Sequence, residues 1–192
     1  MNIGIYIYDN AEVLDFSGPY EVFSTAKRLA DNNWQVFLVA EHKSLVTARG
    51  GFVVNPHYSF ADHPAIDVLI VVGGVHTAEL IKPQVINWIK QTADSAKHVA
   101  SVCTGAFLLA KAGLLDGLTV TTHWEDQADL ANMFPSLKVI ANKRWLSQGK
   151  FTTSGGISAG IDMSLALVAQ LISPEHAELT AKQMEYQWHK KT

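Results

Sequence analysis

The sequence predicts a three-layer α/β sandwich built on a mainly parallel sheet, and three features of the chain carry that prediction. Short apolar runs alternate with helical patterns, as they do in repeated βαβ units. Glycine and proline mark several of the boundaries between them. The segment 157–172 is apolar nearly all round, which is typical of a helix buried inside a layered fold.

The first half of the chain supplies most of the predicted sheet. Each strand is a short apolar run, and each helix begins after a polar or proline-containing turn. In order, we expect a strand over 3–8, a helix over 16–31, a strand over 34–40, short paired strands over 45–48 and 51–55, a strand over 67–72, a helix over 78–92, and a strand over 98–102.

The second half is less regular but continues the alternation. No linker, repeat or low-complexity segment interrupts it, so we expect a single domain over 1–192. The predicted elements are a strand over 118–121, a helix over 125–134, strands over 138–141 and 145–147 on either side of a turn, a strand over 151–154, and helices over 157–172 and 174–188.

Composition excludes several classes of function. The 192 residues are 48% hydrophobic and 17% charged, with a net charge of −3 and no run of lysine or arginine, so neither nucleic acid nor a membrane is an expected partner. The single cysteine excludes an intrachain disulfide and fits a reducing compartment. The first residues lack the basic region of a signal peptide, and no apolar run is long enough to span a bilayer. These features predict a cytoplasmic protein.

Cys103 occupies the most informative position in the chain. The strand over 98–102 precedes it, and a helix begins after it near Thr104 and closes at Gly113. This context predicts a nucleophile elbow, with sulfur at the carboxyl edge of the sheet and at a helix N-terminus. A helix N-terminus favours thiolate, so we expect a partly accessible thiol with a lowered pKa. The alternative is that a lone cysteine is a small, inert core residue.

Residues elsewhere in the chain can complete a site around this cysteine. Asp15 follows the first strand and is either a helix cap or an acid beside the sulfur, kept protonated by the neighbouring anion. Thr104 is either an ordinary helix-start residue or an assisting hydroxyl. Gly73 and Gly74 end the strand over 67–72, as a tight turn or as N–H donors to an oxyanion.

His123 is a further candidate for the wall of this site, although a single histidine is more often structural. The eight histidines form no metal-binding pattern, and no second cysteine is present to complete one. A glycine-rich phosphate loop is also absent. We therefore expect neither a metal nor an organic cofactor.

Several motifs together resemble the ThiJ/PfpI superfamily, whose members share a class I glutamine-amidotransferase-like fold. The resemblance covers nearly the whole chain, from Ile3 to about Ile172. Within the superfamily, the chain looks most like the isonitrile hydratases and the amidase-like sensor domain of AraC-type regulators. The motifs that carry the resemblance are LDFSGPYE at 14–21, VVGG at 71–74, SVCTGA at 101–106, TTHW at 121–124 and TSGGISAGID at 153–162.

The resemblance implies a flavodoxin-like sandwich and specific roles for three residues. By analogy with the hydratases, Cys103 is the nucleophile, Asp15 its acidic partner and Thr104 an assisting residue. Peptidase-like members carry a histidine directly after the cysteine, where this chain has Thr104, which argues against a Cys-His proteolytic site. The resemblance also implies a homodimer with the site near its interface. The AraC-type regulators continue into a helix-turn-helix domain, which we do not expect in a chain of 192 residues.

Three functions remain open at this point. The first is an isonitrile hydratase-like lyase that converts R–N≡C to an N-formamide through Cys103. The second is cofactor-independent glyoxalase, deglycase or amidase-like chemistry that uses the same sulfur. The third is a non-catalytic domain that senses a small molecule or an oxidant, since accessible thiolates also suit redox sensing.

Overall fold

The core of the fold is a seven-stranded sheet, seen in a computed structural model that describes residues 1–190. The strands are β1 (Asn2–Tyr6), β2 (Gln35–Ala40), β3 (Val46–Thr47), β4 (Val53–Val54), β5 (Tyr58–Ser59), β6 (Val68–Val71), β7 (His98–Ser101), β8 (Thr119–Val120), β9 (Lys138–Val139), β10 (Trp145–Gln148) and β11 (Phe151–Ser154). The helices are α1 (Val13–Ala30), α2 (Thr77–Leu80), α3 (Pro83–Ser95), α4 (Gly105–Lys111), α5 (Gln127–Met133), α6 (Ala159–Leu171) and α7 (Pro174–Gln183), and short 3₁₀ turns cover Arg49–Gly51 and Trp124–Asp126.

The order of strands in the main sheet is β10-β11-β7-β6-β1-β2-β5. Every neighbouring pair is parallel except β10 with β11, which is antiparallel. The five strands β2, β1, β6, β7 and β11 therefore follow the flavodoxin-like order 2-1-3-4-5. This confirms the predicted α/β class with a mainly parallel sheet.

Helices cover the sheet in two packed groups. Helices α1, α6 and α7 contact one another, and α2 and α3 pack with α4. The central strands β1, β6 and β7 are buried along nearly their whole length, as expected for parallel strands with both faces covered. None of the helices in residues 1–190 is long and apolar enough to cross a bilayer.

The structure departs from the predicted elements at several places, among them a first helix that begins at Val13 instead of 16 and an unpredicted edge strand, β5. The helix expected over 78–92 is two helices, because Pro83 lacks an N–H and starts α3 as a new helix. The strands expected over 138–141 and 145–147 do not pair with each other: β9 pairs with β8, and β10 joins the main sheet beside β11. The helix expected from 157 begins at Ala159, because Ile157 has a left-handed φ of 55°.

The last predicted helix is also shorter than expected. It ends at Gln183, and the following segment turns back over the start of α6. The backbone N–H of His189 donates to Asp162 Oδ1 at 2.9 Å, and Trp188 Nε1 donates to the Asp162 carbonyl at 3.2 Å. Because Asp162 also binds Arg144 Nε at 2.5 Å, this buried carboxylate anchors the end of the described chain.

Candidate active site at the carboxyl ends of the central strands

Three separated segments meet where the central strands end. Asp15 follows β1 in the first turn of α1, Gly73 and Gly74 follow β6, and Cys103 and Thr104 follow β7. The carboxyl ends of parallel strands lie along one edge of a sheet, and ligands bind at that edge near the change in strand order. In this way the fold brings together five of the residues that the sequence predicted.

Hydrogen bonds fix the three segments relative to one another. The Gly73 N–H donates to Asp15 Oδ2 at 3.0 Å, and the Gly74 N–H donates to Thr104 Oγ1 at 2.9 Å. The Glu12 N–H donates to the Gly73 carbonyl at 2.9 Å, so the loop before α1 runs beside the glycine pair. Asp15 therefore does not cap its own helix, since its side chain reaches across to the neighbouring strand end.

Cys103 forms the predicted elbow between β7 and α4. Its φ is 55°, a left-handed conformation that is uncommon outside glycine and that recurs at functional turns. Its N–H donates to the Gly155 carbonyl at 3.2 Å, and its own carbonyl accepts from Thr122 Oγ1 at 2.7 Å. The next turn requires glycine, because a Cβ at Gly105 would lie 2.1 Å from the Val71 carbonyl oxygen.

Asp15 is a fully buried carboxyl group. Burial raises its pKa to about 7, although the hydrogen bond from Gly73 opposes that shift by favouring the carboxylate. The negative charge of Glu12 raises the pKa further, and the Ile157 backbone and the Cys103 thiol act as weaker donors that lower it. Asp15 Oδ1 is buried and has no hydrogen-bond partner of good geometry among the described residues.

The expectation of a low-pKa thiolate at Cys103 is wrong. The residue is only 7% exposed, and burial raises the pKa of its thiol, as does the negative charge of Asp15. The Thr104 N–H favours thiolate, but it is a single donor at the start of a seven-residue helix. The charge of Asp15 thus disfavours the thiolate, whereas the protonated Cys103 thiol donates to Asp15 and favours its carboxylate, so the two groups titrate as a coupled pair.

The glycine pair serves the site differently from the predicted oxyanion hole. The N–H groups of Gly73 and Gly74 are both bonded within the protein, to Asp15 and Thr104. Neither can hold an oxyanion without releasing one of those side chains. Their demonstrated contacts position Asp15 and Thr104, while Gly74 also lines the cavity in front of the sulfur.

Tyr8 is a neighbour of the site that the sequence analysis missed. Its ring is buried, and its hydroxyl donates to the Val72 carbonyl at 3.3 Å. Burial and the negative charge of Asp15 raise the pKa of this phenol well above its ordinary value, so it stays neutral. An aromatic residue at the end of an apolar strand looks like core in sequence, and no pattern in the chain distinguishes this one.

A cavity of about 280 Å³ opens in front of Cys103. We call it the Cys103 cavity. Hollows of about 440 Å³ lie elsewhere on the surface, lined for example by Lys27 and Asp31, but no cysteine lines them. The Cys103 cavity is lined by Glu12, Arg49, Gly74, Val75, His76, Thr77, Cys103, Thr104, His123, Glu125, Asp126 and Ile157.

Two histidines face this cavity, and the sequence analysis named one of them. His123 lies with its Nδ1 3.2 Å from Asp126 Oδ2, and its ring packs so closely on Gly156 that a Cβ there would lie 2.1 Å from His123 Cδ2. His76 was missed. It is nearly buried, its ring centroid is 4.4 Å from that of Phe107, and burial lowers its pKa. Its position just after the strand-end glycine pair is the signal that could have identified it.

Within residues 1–190, no three histidine, cysteine, aspartate or glutamate side chains cluster as a metal ion would require. The described site offers a thiol, a carboxyl group, imidazoles and a backbone N–H donor at Thr104.

Comparison with known proteins identifies related chains. The sequence model of the DJ-1/PfpI family matches residues 1–170. The chain is 36% identical to the isonitrile hydratase of Pseudomonas putida over 188 residues, which are 97% of this chain and 78% of that enzyme. It is 28% identical to the HTH-type transcriptional regulator GbdR of Pseudomonas aeruginosa over 172 residues, 88% of this chain but 46% of the regulator. The crystal structure of a ThiJ/PfpI family protein from Pseudomonas syringae superposes with a TM-score of 0.88 at 28% identity, covering 97% of this chain and 75% of that one.

Proposed function

The chain belongs to the DJ-1/PfpI family, and from that premise we propose that it hydrates an isonitrile to an N-formamide, with Cys103 as the nucleophile. The observation that carries the proposal is the buried pair of Asp15 and Cys103. A carboxyl group with a pKa of about 7 can both accept and donate a proton near neutral pH. The residue after the nucleophile is Thr104, so the pair works without an adjacent histidine base.

The first step of the proposed reaction forms a covalent intermediate. The ionised carboxyl group of Asp15 takes the thiol proton as the Cys103 sulfur bonds to the terminal isonitrile carbon. Asp15 then returns that proton to the same carbon, and the C≡N bond becomes C=N. The product is a thioimidate, R–N=CH–S, attached to Cys103. The raised pKa of the thiol makes this coupled transfer necessary, because little free thiolate exists beforehand.

The second step releases the product. Water adds to the thioimidate carbon, and Asp15 accepts a proton from that water and passes it to the nitrogen, which gives R–NH–CH(OH)–S. The hydroxyl of this intermediate then becomes the formyl C=O as the C–S bond breaks, and Asp15 carries the hydroxyl proton to the departing sulfur while R–NH–CHO leaves. The Thr104 N–H stabilises charge on the departing sulfur. The sum is R–N≡C plus water, and every group of the protein returns to its starting state.

A second candidate is a domain that binds a small molecule without turning it over. The similarity to the regulator GbdR supports it, since that match covers 88% of this chain. A thiol whose pKa is raised rather than lowered also suits binding without chemistry. Under this alternative the Cys103 cavity holds an effector instead of a substrate.

A parallel activity screen separates these functions. Wild type and Cys103→Ser are assayed for N-formamide formation from several alkyl isonitriles and for loss of methylglyoxal. We expect wild type to hydrate isonitriles, Cys103→Ser to fail, and Asp15→Asn to lose ~100-fold or more. Turnover of methylglyoxal alone would replace the proposal with glyoxalase chemistry, and turnover of neither would favour the sensing domain.

The homodimer that the family resemblance implies stays a prediction. Size-exclusion chromatography with light scattering tests it, and the expected result is twice the chain mass of 21.0 kDa.

A further inference from the structure

The wall of the Cys103 cavity carries more negative than positive charge. Three carboxylates line it, from Glu12, Glu125 and Asp126, against one permanent cation, Arg49. The two remaining titratable groups at the wall, apart from the sulfur, are the imidazoles of His76 and His123.

The cations that line the cavity do not balance these carboxylates. Arg49 Nη1 lies 3.2 Å from Glu12 Oε2, so that pair is neutral. Burial lowers the pKa of His76 and keeps it uncharged at neutral pH. His123 faces Asp126 at 3.2 Å and Glu125 at 3.9 Å, so even a protonated ring leaves one carboxylate in excess.

Two further cations line a separate hollow, one of the two of about 440 Å³. Lys143 and Arg144 lie there together with Gly156, on which the His123 ring packs. Arg144 is held there by Asp162, with Nε 2.5 Å from Oδ2. Neither Lys143 nor Arg144 lines the Cys103 cavity.

The excess negative charge acts at the reacting atom. The charge of Asp126 is one of the causes that raise the pKa of the Cys103 thiol, and it also acts on His76. A concave site focuses the field of its walls, so an incoming charged molecule experiences it before contact. An anion is repelled and a cation is attracted by the same carboxylates.

We propose that the Cys103 cavity selects a cationic substrate, an isonitrile that carries an ammonium group, over an anionic substrate of the same size. This inference names the substrate class of the proposed hydratase and in that respect rests on the proposed function. The charge selection itself follows from the cavity wall and applies to any molecule that reaches the sulfur.

The single cysteine allows a test that does not depend on turnover. Cys103 is the only thiol, so the rate of its modification reports on this cavity alone. The probes are two methanethiosulfonates of similar size, one ending in trimethylammonium and one in sulfonate. Each forms a disulfide with Cys103 and releases methanesulfinate. The rates are measured at pH 9 and divided by those of 2-mercaptoethanol, which removes the intrinsic reactivity of each reagent.

We expect the corrected rate ratio of cation to anion to be on the order of 10 at low ionic strength and to fall in 0.5 M salt. Asp126→Asn and Glu125→Gln should each lower that ratio by about threefold. Asp94→Asn is the matched control, because it removes the same charge from an exposed position at the end of α3, beside the start of β7 and the opposite edge of the sheet. It should leave the ratio unchanged.

The substrate series then tests the class of isonitrile. The compounds are 2-isocyanoethyl-trimethylammonium, its uncharged counterpart 3,3-dimethylbutyl isonitrile, and 3-isocyanopropanoate. We expect kcat/KM to fall in that order. A corrected ratio near one, a preference for the anionic probe, or a sulfur that neither probe reaches would overturn the charge selection. If the probes show it but no isonitrile reacts, the proposed hydratase fails while the cation-selective cavity stands.

Discussion

Two hydrogen bonds join Thr104 and Gly74: the Thr104 hydroxyl accepts from the Gly74 N–H at 2.9 Å and donates to the Gly74 carbonyl at 3.0 Å. One side chain thus satisfies both backbone polar groups of a residue 30 positions earlier. The turn after β6 and the elbow after β7 therefore form one unit, and the hydroxyl is largely committed to structure.

Thr104→Val should consequently destabilise the protein by about 1–3 kcal/mol, because it leaves the Gly74 N–H without its partner and the Gly74 carbonyl with only the 3.5 Å contact to His76 Nδ1. Thr104→Ser keeps the hydroxyl and should retain most of the stability. Urea unfolding followed by circular dichroism measures both. A valine variant as stable as wild type would show that the two hydrogen bonds between Thr104 and Gly74 contribute nothing to the free energy of unfolding.

Cys103 should ionise at a higher pH than an ordinary thiol. Burial and the Asp15 charge raise its pKa, so the rate of alkylation by uncharged iodoacetamide should still be rising above pH ~8.5, the ordinary midpoint. Asp15→Asn removes the neighbouring carboxylate and should move the midpoint down. A wild-type midpoint at or below the ordinary value is incompatible with the buried pair described above.

Asp15 should cost the protein stability at alkaline pH. Its pKa is about 7 in the folded protein and ~3.9 when unfolded, so the folded state holds this proton more tightly. The contribution of Asp15 to stability is therefore greatest below pH ~4 and is lost as the pH rises to about 7. Asp15→Asn should be more stable than wild type by about 1–3 kcal/mol at pH 8, with no gain at pH 4. Thermal unfolding at the two values tests this, and equal differences at both would contradict it.

The ionisation of Asp15 should also determine how kcat/KM depends on pH. The proposed first step needs an ionised Asp15 beside a protonated Cys103, so kcat/KM should rise with pH through about 7. The fall at alkaline pH should follow ionisation of the thiol. Stopped assays on one isonitrile across pH 5 to 10 measure this profile. Activity independent of pH between 6 and 8 would remove Asp15 from the rate-determining proton transfer.

Gly156 should be required for the position of His123. An alanine Cβ there would lie 2.1 Å from His123 Cδ2, so the imidazole must move out of its place at the cavity wall. When position 123 keeps its histidine, Gly156→Ala should lower kcat/KM. In a His123→Ala background, the clash is gone and the alanine should have little further effect. Equal losses in both backgrounds would place the cause elsewhere.

The fold and the identity of several site residues could be predicted from the sequence, because both depend on the order of strands and helices along the chain. Alternating apolar runs predict parallel strands, and residues that directly follow such strands converge at one edge. Asp15, Gly73 and Cys103 were found by that rule. Pro83 is a local sequence signal for the start of α3. The pairing of β9 with β8, in contrast, depends on contacts between distant segments and leaves no local pattern in the sequence.

The electrostatics of the site were not accessible in the same way. The turn around Cys103 suggested a thiolate, because a helix N-terminus is visible in the sequence. The opposing influences are burial and the proximity of a carboxylate, and both arise only when segments distant along the chain pack together. Tyr8 escaped notice for the same reason, since an aromatic residue at a strand end is recognised as part of the site only from its neighbours. His76 differs, because its place just after the glycine pair is visible in the sequence.

The carboxylates of Glu125 and Asp126 and the pair formed by Asp15 and Cys103 lie on different kinds of structure. Asp15 and Cys103 lie at buried strand ends locked by backbone hydrogen bonds, whereas Glu125 and Asp126 lie on the short surface turn Trp124–Asp126. Substitutions of a few surface residues can therefore change the charge of the cavity wall without altering the hydrogen bonds that hold Asp15 and Cys103. The same separation allows a descendant to lose turnover yet keep its ligand, which is one route by which an enzyme and a ligand-responsive regulator can share a common ancestor.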